Sequence, residues 1–150
     1  MSLTAYRAND AESLAMRFLL CAATLFMASG QFGDPPTQST HRHGPHGLEG
    51  WTLNDTVSGH GDERFPHQLV IARHGKVVRR IESGAFVWKW MFLPDGKHVA
   101  YESGPFHFVL TCELAEIRTG KVIADYDCED TLDNAPQWVK DLENDRRGWD

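Results

Sequence analysis

The residues of this sequence best suited to chemistry are histidines and carboxylates, and they fall in two groups. One group crowds a glycine-rich loop over residues 60–67, and the other lies on two neighbouring predicted strands near residues 98–107. Imidazole and carboxylate side chains exchange protons and bind ligands, and function concentrates on loops. The candidate ligand-binding residues are therefore His60, Asp62, Glu63, His67, His98 and His107.

A second histidine set, at His41, His43 and His46, lies in a stretch rich in Pro, Gly, Ser and Thr. Imidazole suits zinc, copper and nickel, so these three are weak candidates for metal binding. No Cys or carboxylate completes a ligand set beside them. We therefore predict no metal site.

The motifs of common enzyme classes are absent from the sequence. There is no Gly-x-Ser-x-Gly elbow, no glycine-rich phosphate loop and no His-Glu-x-x-His pair. We predict no catalytic residue and no cofactor, and we favour a non-catalytic protein.

Short strands separated by turn residues must position these side chains. From Trp51 onward about seven strands follow one another, and His74-Gly75, Pro94-Asp95-Gly96 and Thr119-Gly120 are turn sequences between them. Because the strands are joined locally, an antiparallel meander is the natural topology. The predicted fold class is all-β, an antiparallel meander of about seven strands with a short C-terminal helix.

The strand "AFVWKWMFL" alternates in polarity. Phe86, Trp88, Trp90 and Phe92 fall on one face and the residues between them on the other. The aromatic set is predicted to be buried as one face.

The last hairpin places both remaining cysteines on one face. Apolar residues of "FHFVLTCELAEI" and "KVIADYD" meet only if even-numbered residues oppose even-numbered ones, which requires a bulge near Gly120. Cys112 then lies opposite Tyr126 or Cys128. The second register brings the two cysteines within disulfide range, and the first leaves them diagonal at about 7–8 Å. We predict a Cys112–Cys128 disulfide.

Both ends of the chain have distinct compositions. Arg17 followed by the eleven apolar residues 18–28 fits a secretory signal peptide, with Met16 as the natural start, and is too short for a stable membrane span. The predicted organisation is a signal peptide over 1–30, a flexible linker over 31–50, a β-repeat domain over 51–127 and an acidic tail over 128–150. Within that tail "APQWVKDLEN" predicts a helix that covers part of the sheet. We predict a secreted or periplasmic protein.

The charge is concentrated at the C-terminal end. Residues 31–124 hold ten basic and ten acidic side chains, whereas residues 125–150 hold nine acids against three bases. With no basic stripe, binding to nucleic acid is not expected.

The segment "WKWMFLPDGKHVAYES…FHFVLTCELAEIRTGKVIADYD" resembles the WD40-like β-propeller repeat found in periplasmic propellers, best over residues 86–126. It is also similar to small secreted bacterial proteins. The resemblance implies four-stranded blades, and residues 51–84 would form a second, degenerate blade. Since propellers have about 4 to 8 blades, two cannot close a ring.

Two functions are consistent with these features. The first is a secreted or periplasmic β-repeat module that binds a protein or other ligand, or self-associates into a homo-oligomer. The alternative is a small metal-dependent or hydrolase-like enzyme that uses the His-rich loop.

Overall fold

The protein is an all-β fold of two antiparallel sheets and one short helix. The computed structural model describes residues 37–39, 41–106 and 109–145. Within them, seven strands of six residues or more follow one another in sequence, as predicted. The sheets do not close into a barrel.

The first sheet contains five strands in the order β1-β3-β4-β5, with β2 also paired to β3. Their bounds are β1 Thr37–Gln38, β2 Arg42–His43, β3 Leu48–Thr56, β4 Arg64–Arg73 and β5 Lys76–Ile81.

The second sheet is a four-stranded meander in the order β6-β7-β8-β9. Its strands are β6 Phe86–Phe92, β7 His98–Gly104, β8 Thr111–Glu116 and β9 Val122–Asp127, and the helix α1 follows at Gln137–Asn144.

The strands β1 and β2 and the first residues of β3 fall in the range 31–50, for which the sequence predicts a flexible linker. Both short strands in that range are paired to β3, with Thr37 opposite Asn54 and Arg42 opposite Gly50. A strand of two residues is too short to show the alternation of buried and exposed side chains that predicts a strand from sequence. Such strands form because a neighbouring strand pairs with them.

The turns form where their residues predict them. Arg73 pairs with Lys76 across the two-residue loop His74-Gly75, and both loop residues have positive φ. Such a turn matches the twist of the flanking strands.

The main core lies between the two sheets. It consists of Leu48, Leu69, Ile71, Ile81, Val87, Trp90, Val99, Tyr101, Ala115 and Ile117, with Phe92 packed against it. At Gly50, a Cβ would come within 2.7 Å of Trp90 Cη2, so only glycine lets the indole pack this closely on β3.

The single aromatic face predicted for β6 is interrupted by a bulge at Trp88. Val87 pairs with Ser103 and Lys89 with Glu102, so Trp88 has no partner of its own. A bulge shifts the alternation by one residue. Val87 and Trp90 therefore both reach the core between the sheets, whereas Phe86 and Trp88 are only half-buried at the end of the sheet.

The outer face of the second sheet is covered by α1, as predicted. Val139 and Leu142 are fully buried against Ala100 and Cys112, and Trp138, Met91 and Leu114 pack around them. Just after the helix, Asp145 Oδ2 lies 3.4 Å from Arg42 Nη1 of β2. The helix is thus attached to both sheets.

Candidate functional site

The loop between β3 and β4 carries three of the predicted ligand-binding residues, all exposed: His60, Asp62 and Glu63. The ring of His60 stacks on Phe106 with a centroid distance of 4.7 Å and meets Phe65 edge-on at 5.5 Å. His60 is therefore held by aromatic packing beside the end of β7.

The rings around His60 form an aromatic cluster of Phe65, Phe86, Trp88 and Phe106. Their centroids lie between 4.3 and 6.5 Å apart, and Trp88 Nε1 donates to the carbonyl of Gly104 at 2.9 Å. All four are half-buried. Because they mostly cover one another, they act as a small satellite core at this end of the sandwich.

The fourth residue of the predicted loop, His67, lies within β4. Leu53 pairs with Gln68 and Asn54 with Pro66, so His67 is the extra residue of a bulge. Its Nδ1 is buried without a hydrogen-bond partner among the described residues. His67 and His60 are not part of one arrangement.

His98 lies at the other end of the second sheet, as the first residue of β7. The seven-residue strand β7 runs from His98 to Gly104, so its first residue lies about 20 Å from the end that carries the aromatic cluster. His107, the last of the predicted set, falls outside the described residues. The structure therefore does not bring His98 together with the His-rich loop.

The imidazole of His98 is held by Asp95 in the preceding turn. Its Nδ1 lies 2.6 Å from Asp95 Oδ2, and Asp95 Oδ1 accepts hydrogen bonds from the Lys97 and His98 amides at 2.8 and 3.1 Å. Burial opposes ionisation of Asp95, but these hydrogen bonds outweigh it and lower the pKa of the carboxyl. The His98 Nε2 atom remains available to another group.

A cleft of about 780 Å³ opens at this end of the molecule, and we refer to it as the turn cleft. It is lined by the basic residues Arg73, Lys97 and Arg118, by His98 and Glu116, and by the aliphatic Val78 and Ile117. These residues come from the ends of β4, β7 and β8 and from β5.

Side-chain hydrogen bonds hold the walls of the turn cleft. Arg73 Nη2 donates to the Gly96 carbonyl at 2.9 Å, and Arg79 donates to the carbonyls of Ile117 and Arg118. Gly96 has a φ of +62°, and a Cβ there would meet the His46 ring at 2.4 Å. Glycine thus lets the β6–β7 turn close against the segment before β3.

The one carboxylate in the lining of the turn cleft, Glu116, is already engaged. Thr119 donates a hydrogen bond to Glu116 Oε2 at 2.6 Å, and Arg118 Nε lies 3.4 Å from Oε1. These two contacts, the Thr119 hydrogen bond foremost, lower the pKa of Glu116. The carboxylate stays ionised and bound to its own turn.

The histidines of the second predicted set have separate surroundings. His41 stacks on Trp51 with a centroid distance of 4.3 Å and bonds Glu49 at 2.6 Å, whereas His46 lies against Gly96 and His43 is exposed on β2. Across residues 37–39, 41–106 and 109–145, no three His, Cys, Asp or Glu side chains are grouped as ligands for a metal ion.

The predicted disulfide between Cys112 and Cys128 is present, with the Cα atoms 5.3 Å apart. The register is the one with Cys112 opposite Tyr126, for which a diagonal distance of about 7–8 Å is expected. The observed distance is shorter than this expectation. Cys128 directly follows β9, and its amide donates to the Leu110 carbonyl at 3.1 Å, so the same register continues with Leu110 opposite Cys128. The even-to-even register and its bulge are confirmed.

A buried cluster of charged side chains lies beneath α1, and it was not predicted from the sequence. Lys89 Nζ lies 3.2 Å from Glu143 Oε2 and 4.0 Å from Glu102 Oε2, and the Lys89 side chain is only 6% exposed. Burial raises the pKa of Glu102, Lys89 lowers it and Glu143 raises it, with a net upward shift. The signal in the sequence was a lysine flanked by Val-Trp and Trp-Met in a strand that is otherwise apolar. A lysine buried there needs an acidic partner, because buried charges are paired.

Among the described residues, β5 ends the first sheet on the side away from β1 and β2, and β9 ends the second sheet on the side away from β6. Each exposes an aliphatic pair, Val77 and Val78 on β5 and Val122 and Ile123 on β9, at 36–50% of their surface. The other outer strand of the second sheet, β6, receives a hydrogen bond from Arg42 to the Trp90 carbonyl at 2.7 Å.

No protein-family profile, curated protein or solved structure matches this chain. In the part of the chain that the structure describes, no helix is both long and apolar enough to cross a membrane.

Proposed function

We propose that this protein is an exported, non-catalytic β-module of the propeller-blade type that associates with further copies of itself through β5 and β9. The observation that carries the proposal is the pair of free edges, each with two exposed aliphatic side chains. An edge strand presents unpaired backbone donors and acceptors that another strand can use, and apolar side chains on it strengthen the contact.

The charges beside these edges favour pairing of β5 with β9 of another copy. Lys76, Arg79 and Arg80 accompany β5, whereas Asp125 and Asp127 accompany β9. Contact of β5 with β5, or of β9 with β9, would bring like charges together. A β5–β9 contact is heterologous, so each copy keeps one edge for the next copy.

The position of α1 supports association through edges rather than through faces. In a propeller a further blade would pack on the outer face of the second sheet, where Val139 and Leu142 are buried. Completing a ring by face packing would require α1 to leave. The strand edges are not covered in this way.

The disulfide supports the exported location, because such bonds persist in oxidising compartments. Expressed in a bacterium with its own leader, the protein should lose roughly residues 1–30. Intact N-terminal sequence on cytoplasmic material would contradict export.

No observation favours the alternative of an enzyme built on the His-rich loop. His60 packs on Phe106, and His98 lies at the opposite end of β7, so proton transfer or ligand sharing between them is not available.

Size-exclusion chromatography with light scattering on the chain from Gln31 tests the association. We expect oligomers that weaken as salt rises from about 0.05 to about 0.5 M, because surface charges are then screened. Val77→Glu on β5 and Ile123→Lys on β9 should each reduce association, whereas Val109→Lys should not, since Val109 is 58% exposed but lies outside the strands.

Mixing the two edge variants distinguishes the kind of contact. Val77→Glu retains an intact β9 and Ile123→Lys retains an intact β5, so a mixture should associate where neither variant does alone. A monomer under all conditions, or variants that behave like the wild type, would overturn the proposal.

A further inference from the structure

The turn cleft combines basic side chains with an aliphatic wall, and it shares Val78 with the β5 edge. Three cationic side chains, Arg73, Lys97 and Arg118, line it against the single carboxylate of Glu116. The chain as a whole carries a net charge of −6, so a local surplus of positive charge is contrary to the overall balance.

The basic groups of the turn cleft keep unused hydrogen-bond donors. Within the described residues the Lys97 ammonium has no side-chain partner. The guanidinium of Arg73 uses one N–H on the Gly96 carbonyl, and the Arg118 side chain is 81% exposed with only its Nε near Glu116. A guanidinium has five N–H donors in a planar fork that matches a carboxylate or phosphate.

The nearby carboxylates use only part of these donors. Glu116 is bonded by Thr119 and Arg118, and Asp95 is bonded by the Lys97 and His98 amides and by the His98 ring. A ligand therefore meets three cations, of which Arg118 alone contacts a carboxylate within the described residues.

The aliphatic wall and the size of the turn cleft select against a bare inorganic ion. Val78 is 43% exposed and lies beside the buried Ile117. A volume of about 780 Å³ falls in the range of small-molecule pockets, roughly 300–1,000 Å³.

We infer that the turn cleft binds a small organic anion, with a carboxylate or phosphate group held by Lys97 and Arg118 and an aliphatic part placed against Val78 and Ile117. Arg73 is fixed to the Gly96 carbonyl and adds positive charge to the lining. Because the turns that carry these groups are held by backbone hydrogen bonds, the backbone of the site does not have to be ordered by the ligand.

Amide NMR titration of the folded chain with hexanoate and with hexyl phosphate tests this inference. We expect saturable shifts at Gly96, Lys97 and Arg118 and none at His60 or Trp88 at the opposite end. The alcohol 1-hexanol, which lacks the charge, should bind about tenfold more weakly or worse. Saturation by only one of the two anions identifies the head group.

Lys97→Met and Arg118→Met each keep the aliphatic stem and should weaken hexanoate binding by about tenfold or more. Lys121→Met removes a charge near the same turns but outside the lining of the cleft. The dissociation constant of this variant for hexanoate should therefore stay within about twofold of the wild-type value. The amide spectrum of each variant without ligand shows whether it is folded. Because Lys97 is exposed in a turn, Lys97→Met is the variant least able to disturb the fold. No saturation by either anion up to about 10 mM, equal binding of 1-hexanol, or an equal effect of Lys121→Met would overturn the inference.

Discussion

Lys89 Nζ lies 3.2 Å from Glu143 Oε2, so an ammonium group in the middle of β6 is bound to the last turn of α1. The side chain comes from a strand that is otherwise apolar, and Glu102 of β7 is the third member of the cluster. Removing a charge from a buried pair leaves its partner uncompensated, which costs more than the pair itself contributes.

Lys89→Met should therefore lower the free energy of unfolding by about 3–5 kcal/mol, as measured by urea denaturation. The double variant Lys89→Met/Glu102→Met should recover much of that loss, because the two most deeply buried charges are then gone and the remaining Glu143 side chain is 26% exposed. A single variant as stable as the wild type would contradict the assigned pairing.

The raised pKa of Glu102 predicts a definite pH dependence. The Glu102 carboxyl binds its proton more tightly in the folded protein than in the unfolded chain, where its pKa is about 4.5. The contribution of Glu102 to the free energy of unfolding is thus complete below about pH 4.5 and is lost as the pH rises through the pKa of Glu102 in the folded protein. Urea unfolding from about pH 4 to about pH 8 should show this decline in the wild type relative to Glu102→Gln. Parallel profiles would contradict it.

The disulfide joins residues 16 apart in sequence. Closing a loop of this length should stabilise the fold by about 3 kcal/mol, so Cys112→Ala/Cys128→Ala should unfold at lower urea concentration. Mass spectrometry of the exported protein after alkylation without reductant should find no modified cysteine. Two alkylated cysteines would show that the bond is absent.

Replacing either of the two tryptophans of β6 by alanine should lower stability by different amounts, because the bulge gives them different surroundings. Trp90 is 4% exposed between the sheets, with the Arg42 guanidinium 5.0 Å from its ring centroid. Trp90→Ala should cost about 3–5 kcal/mol in thermal or urea unfolding, and Trp88→Ala clearly less. Equal losses would mean that the predicted single aromatic face is the better description.

Local signals in the sequence were sufficient for the strands, the turns and the helix. Alternation and Gly-containing turns identify β4 to β9, and the spacing of Trp138, Val139 and Leu142 identifies the buried face of α1. These features depend on residues close in sequence, where period and turn chemistry apply directly.

Features that depend on distant partners were not predictable. The bulge at Trp88 reflects how β6 must align with β7, and β1 and β2 exist only because β3 pairs with them. The turn cleft likewise joins the ends of strands from both sheets. Of the predicted site, only His98 lies in it, because histidine content alone does not indicate which end of a strand a residue occupies.

The contact between Arg42 and Asp145 spans 103 positions of the chain. On a ribosome, β2 emerges long before its partner, and the outer face of the second sheet stays uncovered until α1 has been synthesised. Contacts this distant in sequence delay the completion of folding. The fold described here is therefore complete only after α1 and Asp145 have been synthesised.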